Sequence, residues 1–269
     1  MFPLAGNAFP TTPTDLATAL RGALAEHVTF PAGASGVTAS GLTLHQMDQV
    51  LVDLSGANVT IKPPPPKPVI TGDRTPGVNA NWLRVLAKPL RVESGSAEFE
   101  LNATNVKCEF ARDQDGKPLL LLKDAEQGRV EASVSQSDLQ TILLAGAKIG
   151  AAQQGVTIQE LQINLTPQGP RGIGIALRVK AKKMMMSGVV SIRGNAQIDD
   201  QLNAKISGLS CEGDGVVGKM AAAMLSVKLR EFDGKEVSLS AISLGDLALR
   251  DLQIDASNGL RITADIGKR

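Results

Sequence analysis

Alternation of apolar and polar residues constrains this chain more than any other feature of its sequence. From Arg91 onward the alternation recurs in segment after segment, and a period of two is typical of strands with one buried face. The clearest example runs over 252–256 and 260–266, on either side of Asn258-Gly259. Asn-Gly is the preferred pair for a tight two-residue turn. The pattern therefore predicts antiparallel strands joined by hairpins.

Three segments follow a helical pattern instead. The first helix is predicted over Pro13–His27, where leucines recur every four residues. The second begins at Ser135. Together, Ser135 and Asp138, three residues later, resemble a capping box. The third is predicted over 216–230, and a short fourth helix is expected over 82–88. Few helices separated by runs of strands predict an α+β fold.

The predicted strands are nearly all apolar on one face only, so that face has to cover something. The amphipathic helices are the only candidates for this role. We therefore expect a strongly curved antiparallel sheet wrapped around long amphipathic helices, in a single domain of residues 1–269. Residues 1–90 would be an N-terminal helix and strand part with a proline-rich loop at 62–68. Residues 91–269 would be the core of helices and hairpins.

Composition narrows the classes of function. The net charge is +1, and the chain has six Phe, one Trp and no Tyr. Nucleic-acid binders usually carry a basic excess and stack bases on aromatic rings, so we expect no nucleic-acid partner. The 43% of apolar residues are mainly aliphatic residues and Met, which suit a packed core or a cavity for acyl chains. Neither a transmembrane helix nor a signal peptide is expected from the hydropathy pattern.

Candidate sites for chemistry are few. Gly213-Asp-Gly215-Val-Val-Gly218 fits G-x-G-x-x-G, but repeated strand–helix units of a dinucleotide fold do not follow, so we interpret these glycines as a sharp strand-to-helix turn. The histidines, His27 and His45, have no Cys or His at metal-ligand spacing. We therefore expect no cofactor, no metal site and no enzymatic activity. Whether Cys108 and Cys211 pair stays open.

The stretch from Gly116 to Ile266 resembles the DUF2993 (LmeA-like) family in the order of its elements. That family's strand, followed by Ser-x-x-Asp-Leu at a helix start, is similar to GKPLLLLKDAEQGRVEASVSQSDLQTILL. The helix VVGKMAAAMLSVKLREF and a final hairpin through SNG follow in the same order, whereas the proline-rich loop departs from the family's pattern. The resemblance implies a TULIP-like lipid-binding domain, with an apolar groove between a curved sheet and a long helix, and a place at the cell envelope.

These observations together predict a function without catalysis. We expect the chain to bind or carry a lipid or other hydrophobic ligand in an apolar groove, at a membrane periphery. The alternative is a structural or accessory subunit of a membrane-associated complex, with a packed interior and a protein partner. The residues expected to line the groove are apolar positions of the second and third helices: Leu139, Ile142, Leu143, Ile149, Val217, Met220, Met224 and Val227.

A basic stretch, RVKAKKMMMSGVVSIRG, begins at Arg178. Its cations at 178, 180 and 182 should share the solvent face of a strand, while Val179 and Ala181 face the core. The apolar residues change from odd-numbered to even-numbered positions across this segment, which predicts a bulge or turn at Ser187-Gly188. Methionines here either plug the end of the core or touch acyl chains beside cations that meet anionic headgroups. The expected membrane contact is Lys180, Lys182, Lys183, Met184, Met185 and Met186.

Overall fold

Strands dominate the part of the chain that the computed structural model describes, which is residues 1–61, 68–152, 155–183, 186–239 and 247–268. The helices within these ranges are α1 (Pro13–Ala25), α2 (Gln136–Ala152) and α3 (Gly215–Phe232). The strands are β1 (Phe2–Pro3), β2 (Val28–Thr29), β3 (Val37–Thr43), β4 (Gln46–Asp53), β5 (Asn58–Val59), β6 (Ile70–Val92), β7 (Gly95–Asp113), β8 (Pro118–Asp124), β9 (Gln127–Ser135), β10 (Thr157–Pro167), β11 (Gly172–Lys183), β12 (Met186–Ile198), β13 (Asn203–Asp214), β14 (Glu236–Ser238), β15 (Leu247–Asp255) and β16 (Gly259–Lys268).

The described strands form two sheets. Sheet A has 11 strands, in the order β15-β16-β9-β7-β6-β4-β3 with β1, β2, β5 and β8 beside this path. It is a mixed sheet, because β4 and β5 pair with β6 in parallel. Sheet B consists of β10 to β14 in chain order, and all of its pairs are antiparallel. The hairpins predicted along 161–198 and at the C-terminus are therefore confirmed.

The expected α+β fold, with a curved antiparallel sheet wrapped around long helices, is wrong, because the described chain is mostly β and its larger sheet is mixed. The described helices have 13, 17 and 18 residues and lie against two separate sheets. The helix expected over 82–88 is also wrong, because this segment lies within the 23-residue strand β6. There Trp82 pairs with Thr104 and Ala87 with Phe99 of β7. Ladder hydrogen bonds to a long neighbouring strand outweigh a weak local helical pattern, so pairing decides the structure.

The main core lies between α1 and sheet A. Leu16 is fully buried and Leu20 is 5% exposed, and both belong to one apolar cluster with Val50 and Val78 of the sheet. The start of α1 is held by Thr12, whose hydroxyl accepts a hydrogen bond from a backbone N–H of the first turn. Leucines spaced by four thus predicted both this helix and its buried face.

A smaller cluster joins the two sheets. Leu202, from the turn between β12 and β13, packs with Leu252 and Ala264 of sheet A. Arg171 strengthens the same junction by donating a hydrogen bond of 2.9 Å to the carbonyl of Leu252. Sheet B is therefore attached to sheet A at the end opposite the β11–β12 turn. None of the described helices has both the length and the hydropathy to cross a bilayer.

The turn expected at Ser187-Gly188 lies elsewhere. Ser187 and Gly188 belong to β12, where they pair with Lys182 and Ala181 of β11. Lys183 pairs with Met186, so the chain reverses between these two residues. Met184 and Met185 lie outside the described residues, as does the proline-rich loop apart from Pro68.

Candidate hydrophobic site on sheet B

Three glycines seat α3 on sheet B. A β-carbon at Gly188 would lie 2.1 Å from the backbone nitrogen of Gly218, and one at Gly213 would lie 2.1 Å from the Gly218 carbonyl oxygen. Real β-carbons essentially never approach other atoms so closely, so only glycine allows this contact between helix and strands. The G-x-G-x-x-G spacing is thus explained by packing. Gly215 has φ +72°, which supports the interpretation of a sharp turn into α3.

The face of sheet B under α3 is apolar across several strands. The register aligns Ile163 of β10 with Leu177 of β11, and Leu177 with Ile192 of β12. Ile192 lies on the same face as Val190 and Gly188, two and four residues before it, and Gly188 contacts α3. Val190 is buried, but Ile163, Leu177 and Ile192 are only half-buried. A row of aliphatic side chains therefore remains partly open across β10, β11 and β12.

Two helices border this row. α3 lies across β12 and β13, and α2 lies along β10. Leu161 of β10 shares the apolar face and is 3% exposed, on the strand that α2 contacts. A shallow cavity of about 550 Å³ lies beside α2, against Ile163, Leu177 and Ile192, with Gln140 of α2 at its edge. Its lining also includes strand residues next to this row, most of them polar: Gln162, Asn164, Ala176, Arg178, Ser191 and Arg193. We call this cavity and its aliphatic row the groove.

Hydrogen bonds fix the start of α2 beside the groove. The Gln136 side-chain amide donates to the carbonyl oxygen of Ile163. Ser135 accepts a hydrogen bond from the backbone N–H of Asp138, as the capping pattern predicted. The Ser135 hydroxyl, together with the Ser96 backbone N–H, donates to the Asp138 carboxylate and lowers the pKa of that carboxyl below its ordinary value. This end of α2 is thereby tied to both sheets.

The predicted residues of α2 do not form one lining surface. Leu139, Ile142 and Leu143 are half-buried, and Ile149 is 46% exposed. Ile142 faces sheet A, where a β-carbon on Gly95 would lie 2.9 Å from its side chain. The helix lies between the sheets with none of its residues fully buried. Periodicity detected an apolar helix, but it did not show that two sheets share its surface.

The predicted residues of α3 differ in burial, although their spacing places them on neighbouring parts of the helix surface. Val217 is buried together with Gly218 and Ala222. Met220, Met224 and Val227 point to solvent instead, with exposures of 63%, 73% and 61%. Small residues rather than large ones mark the face of α3 that meets sheet B, because the glycine contacts leave no room for long side chains. This stripe of Gly and Ala was a signal in the sequence that apolar periodicity overlooked.

The basic stretch has the strand faces that alternation predicted. Arg178, Lys180 and Lys182 are exposed, whereas Val179 is half-buried and Ala181 is 7% exposed. Two further residues of the expected membrane contact are described: Lys183 is exposed and Met186 is 46% exposed. Their contact with a membrane stays a prediction.

The two cysteines do not pair. Cys108 is buried in the core under α1, and Cys211 lies half-buried in β13, and both are free thiols. Burial raises the pKa of the Cys108 thiol to about 12, which makes it a poor nucleophile. Partial burial raises the pKa of Cys211 as well.

No group of three or more His, Cys, Asp or Glu side chains within the described ranges is arranged to hold a metal ion. A scan against protein-family models found no match, and neither did searches of the curated proteins and of the solved structures.

Proposed function

We propose that this protein binds a hydrophobic ligand, such as the acyl chain of a lipid, in the groove beside α2 on sheet B. The observation that supports this most directly is the half-buried row of Ile163, Leu177 and Ile192, which neither helix covers. A folded protein gains about 25 cal/mol for each Å² of apolar surface that it removes from water. Leaving such a row open across three strands is therefore unfavourable unless something else covers it.

The dimensions of the groove suit an aliphatic chain. Its volume of about 550 Å³ lies within the usual range of roughly 300 to 1,000 Å³ for ligand pockets. The aligned row crosses three strands, so it extends over roughly 10 Å at the normal strand spacing. Each methylene that enters would contribute about 0.8 kcal/mol. Gln140 at the rim offers an amide group that suits the polar end of such a ligand.

Fluorescence titration with a dansyl-labelled fatty acid tests this proposal. Leu177→Gln and Ile192→Gln should each weaken binding about tenfold or more, because each change places an amide against the acyl chain. The matched control is Lys182→Gln, which introduces the same side chain on the opposite face of β11. Thermal unfolding followed by circular dichroism shows whether each variant is folded. Failure of the wild-type protein to bind the probe, or equal affinity in all three variants, would refute the groove and favour a packed interaction subunit.

A further inference from the structure

Helix α3 carries a second apolar face, directed away from sheet B. Four large apolar residues share it, and their exposures are 60%, 63%, 73% and 61%. They recur every three or four positions, so they form one continuous stripe about 16 Å long. Soluble monomers rarely expose a contiguous apolar surface of this kind unless it binds something. We call this surface the outer stripe: Val216, Met220, Met224 and Val227.

Cations border the outer stripe on both sides. At 100° per residue, Lys219 and Arg230 lie along one edge of the stripe and Lys228 lies along the other. All three are exposed, whereas Glu231, the acid within the bounds of α3, lies by the same geometry on the side of the outer stripe, one turn beyond Val227. Three cations and one acid leave α3 with a formal charge of +2, in a chain whose total is +1. The two edges of this apolar surface are thus basic, while Glu231 lies at its C-terminal end.

The outer stripe continues toward the β11–β12 turn. A β-carbon at Gly215 would lie 2.9 Å from the carbonyl oxygen of Ser187, so the start of α3 touches β12 near its first residue. Met186 is that first residue, and it is 46% exposed. Lys183, its partner across the ladder, is also exposed. Met186 and Lys183 therefore extend the apolar surface and its basic border, respectively.

We propose that the outer stripe docks on an anionic lipid bilayer, with α3 lying in the plane of the interface. Apolar residues on one side of a helix, bordered by Lys and Arg, are the arrangement by which interfacial helices bind such surfaces. The long basic side chains reach the headgroups while methionine and valine enter the acyl boundary. Protein interfaces are depleted in Lys, so the two lysines at the border favour lipid over a protein partner. This inference goes beyond the groove and does not depend on it, because different residues carry it.

Flotation of the protein with lipid vesicles tests the proposal. The full chain should bind vesicles of phosphatidylcholine and phosphatidylglycerol in equal parts, and should bind pure phosphatidylcholine far more weakly. Each border cation should contribute about a fivefold gain in affinity, so removing all three should cost about a hundredfold. Removing both methionines should also cost tenfold or more. The two test variants are Lys219→Gln/Lys228→Gln/Arg230→Gln and Met220→Ser/Met224→Ser.

Matched controls lie on sheet A. Lys107→Gln/Lys117→Gln/Arg91→Gln removes the same number of exposed cations, and Leu42→Ser removes an apolar side chain that is 85% exposed. Neither control should change vesicle binding by more than about twofold, since sheet A would lie away from the bilayer. The five positions changed on the outer stripe and its border are exposed, and so is Leu42. The unfolding temperature of these variants should therefore hardly differ from that of the wild type.

A tryptophan reporter gives a second measurement. The chain's single Trp, Trp82, lies on sheet A, so its emission should not shift when vesicles are added. In a Trp82→Phe background, Met224→Trp should shift to shorter wavelength with anionic vesicles. No shift, or equal binding to neutral and anionic vesicles, would overturn the proposal. A dimer in solution that Met220→Ser/Met224→Ser abolishes would also overturn it, because a second copy would then cover the outer stripe. Binding in the groove is measured without vesicles, so either proposal can be refuted while the other stands.

Discussion

Replacing Gly218 with alanine tests whether α3 is held by the close approach of its backbone to sheet B. A β-carbon at this position would lie 2.4 Å from the carbonyl oxygen of Val189 and 3.0 Å from its nitrogen. Both neighbours are backbone atoms, so relief requires a shift of the whole helix. Overpacking typically costs 1 to 3 kcal/mol, and we expect about 3 kcal/mol here because no side chain can move aside. Alanine regains about 1 kcal/mol of helix propensity, which leaves a net loss of about 2 kcal/mol.

Gly146→Ala is the matched control, because Gly146 also lies in a helix but has space. A β-carbon there would meet only the end of the Ile61 side chain, at 3.9 Å. This substitution should stabilise the protein by up to about 1 kcal/mol, so the two variants should change stability in opposite directions. Thermal unfolding measures both, and at about 2 to 4 °C per kcal/mol Gly218→Ala should lower the Tm by about 4 to 8 °C. A Tm for Gly218→Ala equal to or above wild type would refute the packing argument.

Two further predictions concern titratable groups. Hydrogen bonds from Lys88, Asn102 and Arg84 lower the pKa of Glu100 from 4.5 to about 2, so its stabilising contribution is complete above pH 4.5 and is lost as the pH falls through 2. Glu100→Gln should therefore lower the Tm by about 2 °C at pH 7, and this difference should vanish near pH 2; a constant difference would contradict the assignment. The buried Cys108 thiol, with a pKa of about 12, should resist a maleimide reagent at pH 8 until the protein unfolds, and labelling in the folded state at the rate of an exposed thiol would contradict the burial.

The local elements of this fold could be predicted from the sequence. Leucines spaced by four indicated α1 and its buried face, and Asn258-Gly259 indicated the C-terminal hairpin, because in both places the local signal and the tertiary environment agree. The segment over 82–88 shows where such reasoning fails. Its local pattern is weak, and its structure is decided by pairing with residues of β7 that lie 12 to 22 positions away.

The candidate site could be predicted only in part. Alternation indicated Ile163, Leu177 and Ile192 as apolar strand residues, but only the register of three strands shows that they form one row. Helix periodicity indicated Met220 and Met224 as apolar, but it could not show which side of α3 meets the sheet.

What the sequence by itself determined is α1, α2, α3 and the hairpins, because hydrophobic period and turn chemistry act over a few residues. Only the tertiary structure decided which faces are buried. The buried face of α3 is set by Gly188, Gly213 and Gly218, whose lack of side chains lets the helix backbone contact the backbone of sheet B. That contact directs the small residues of the helix toward the sheet and leaves its methionines exposed to solvent. The pattern of residues along one segment does not show where the neighbouring segment lies in the fold.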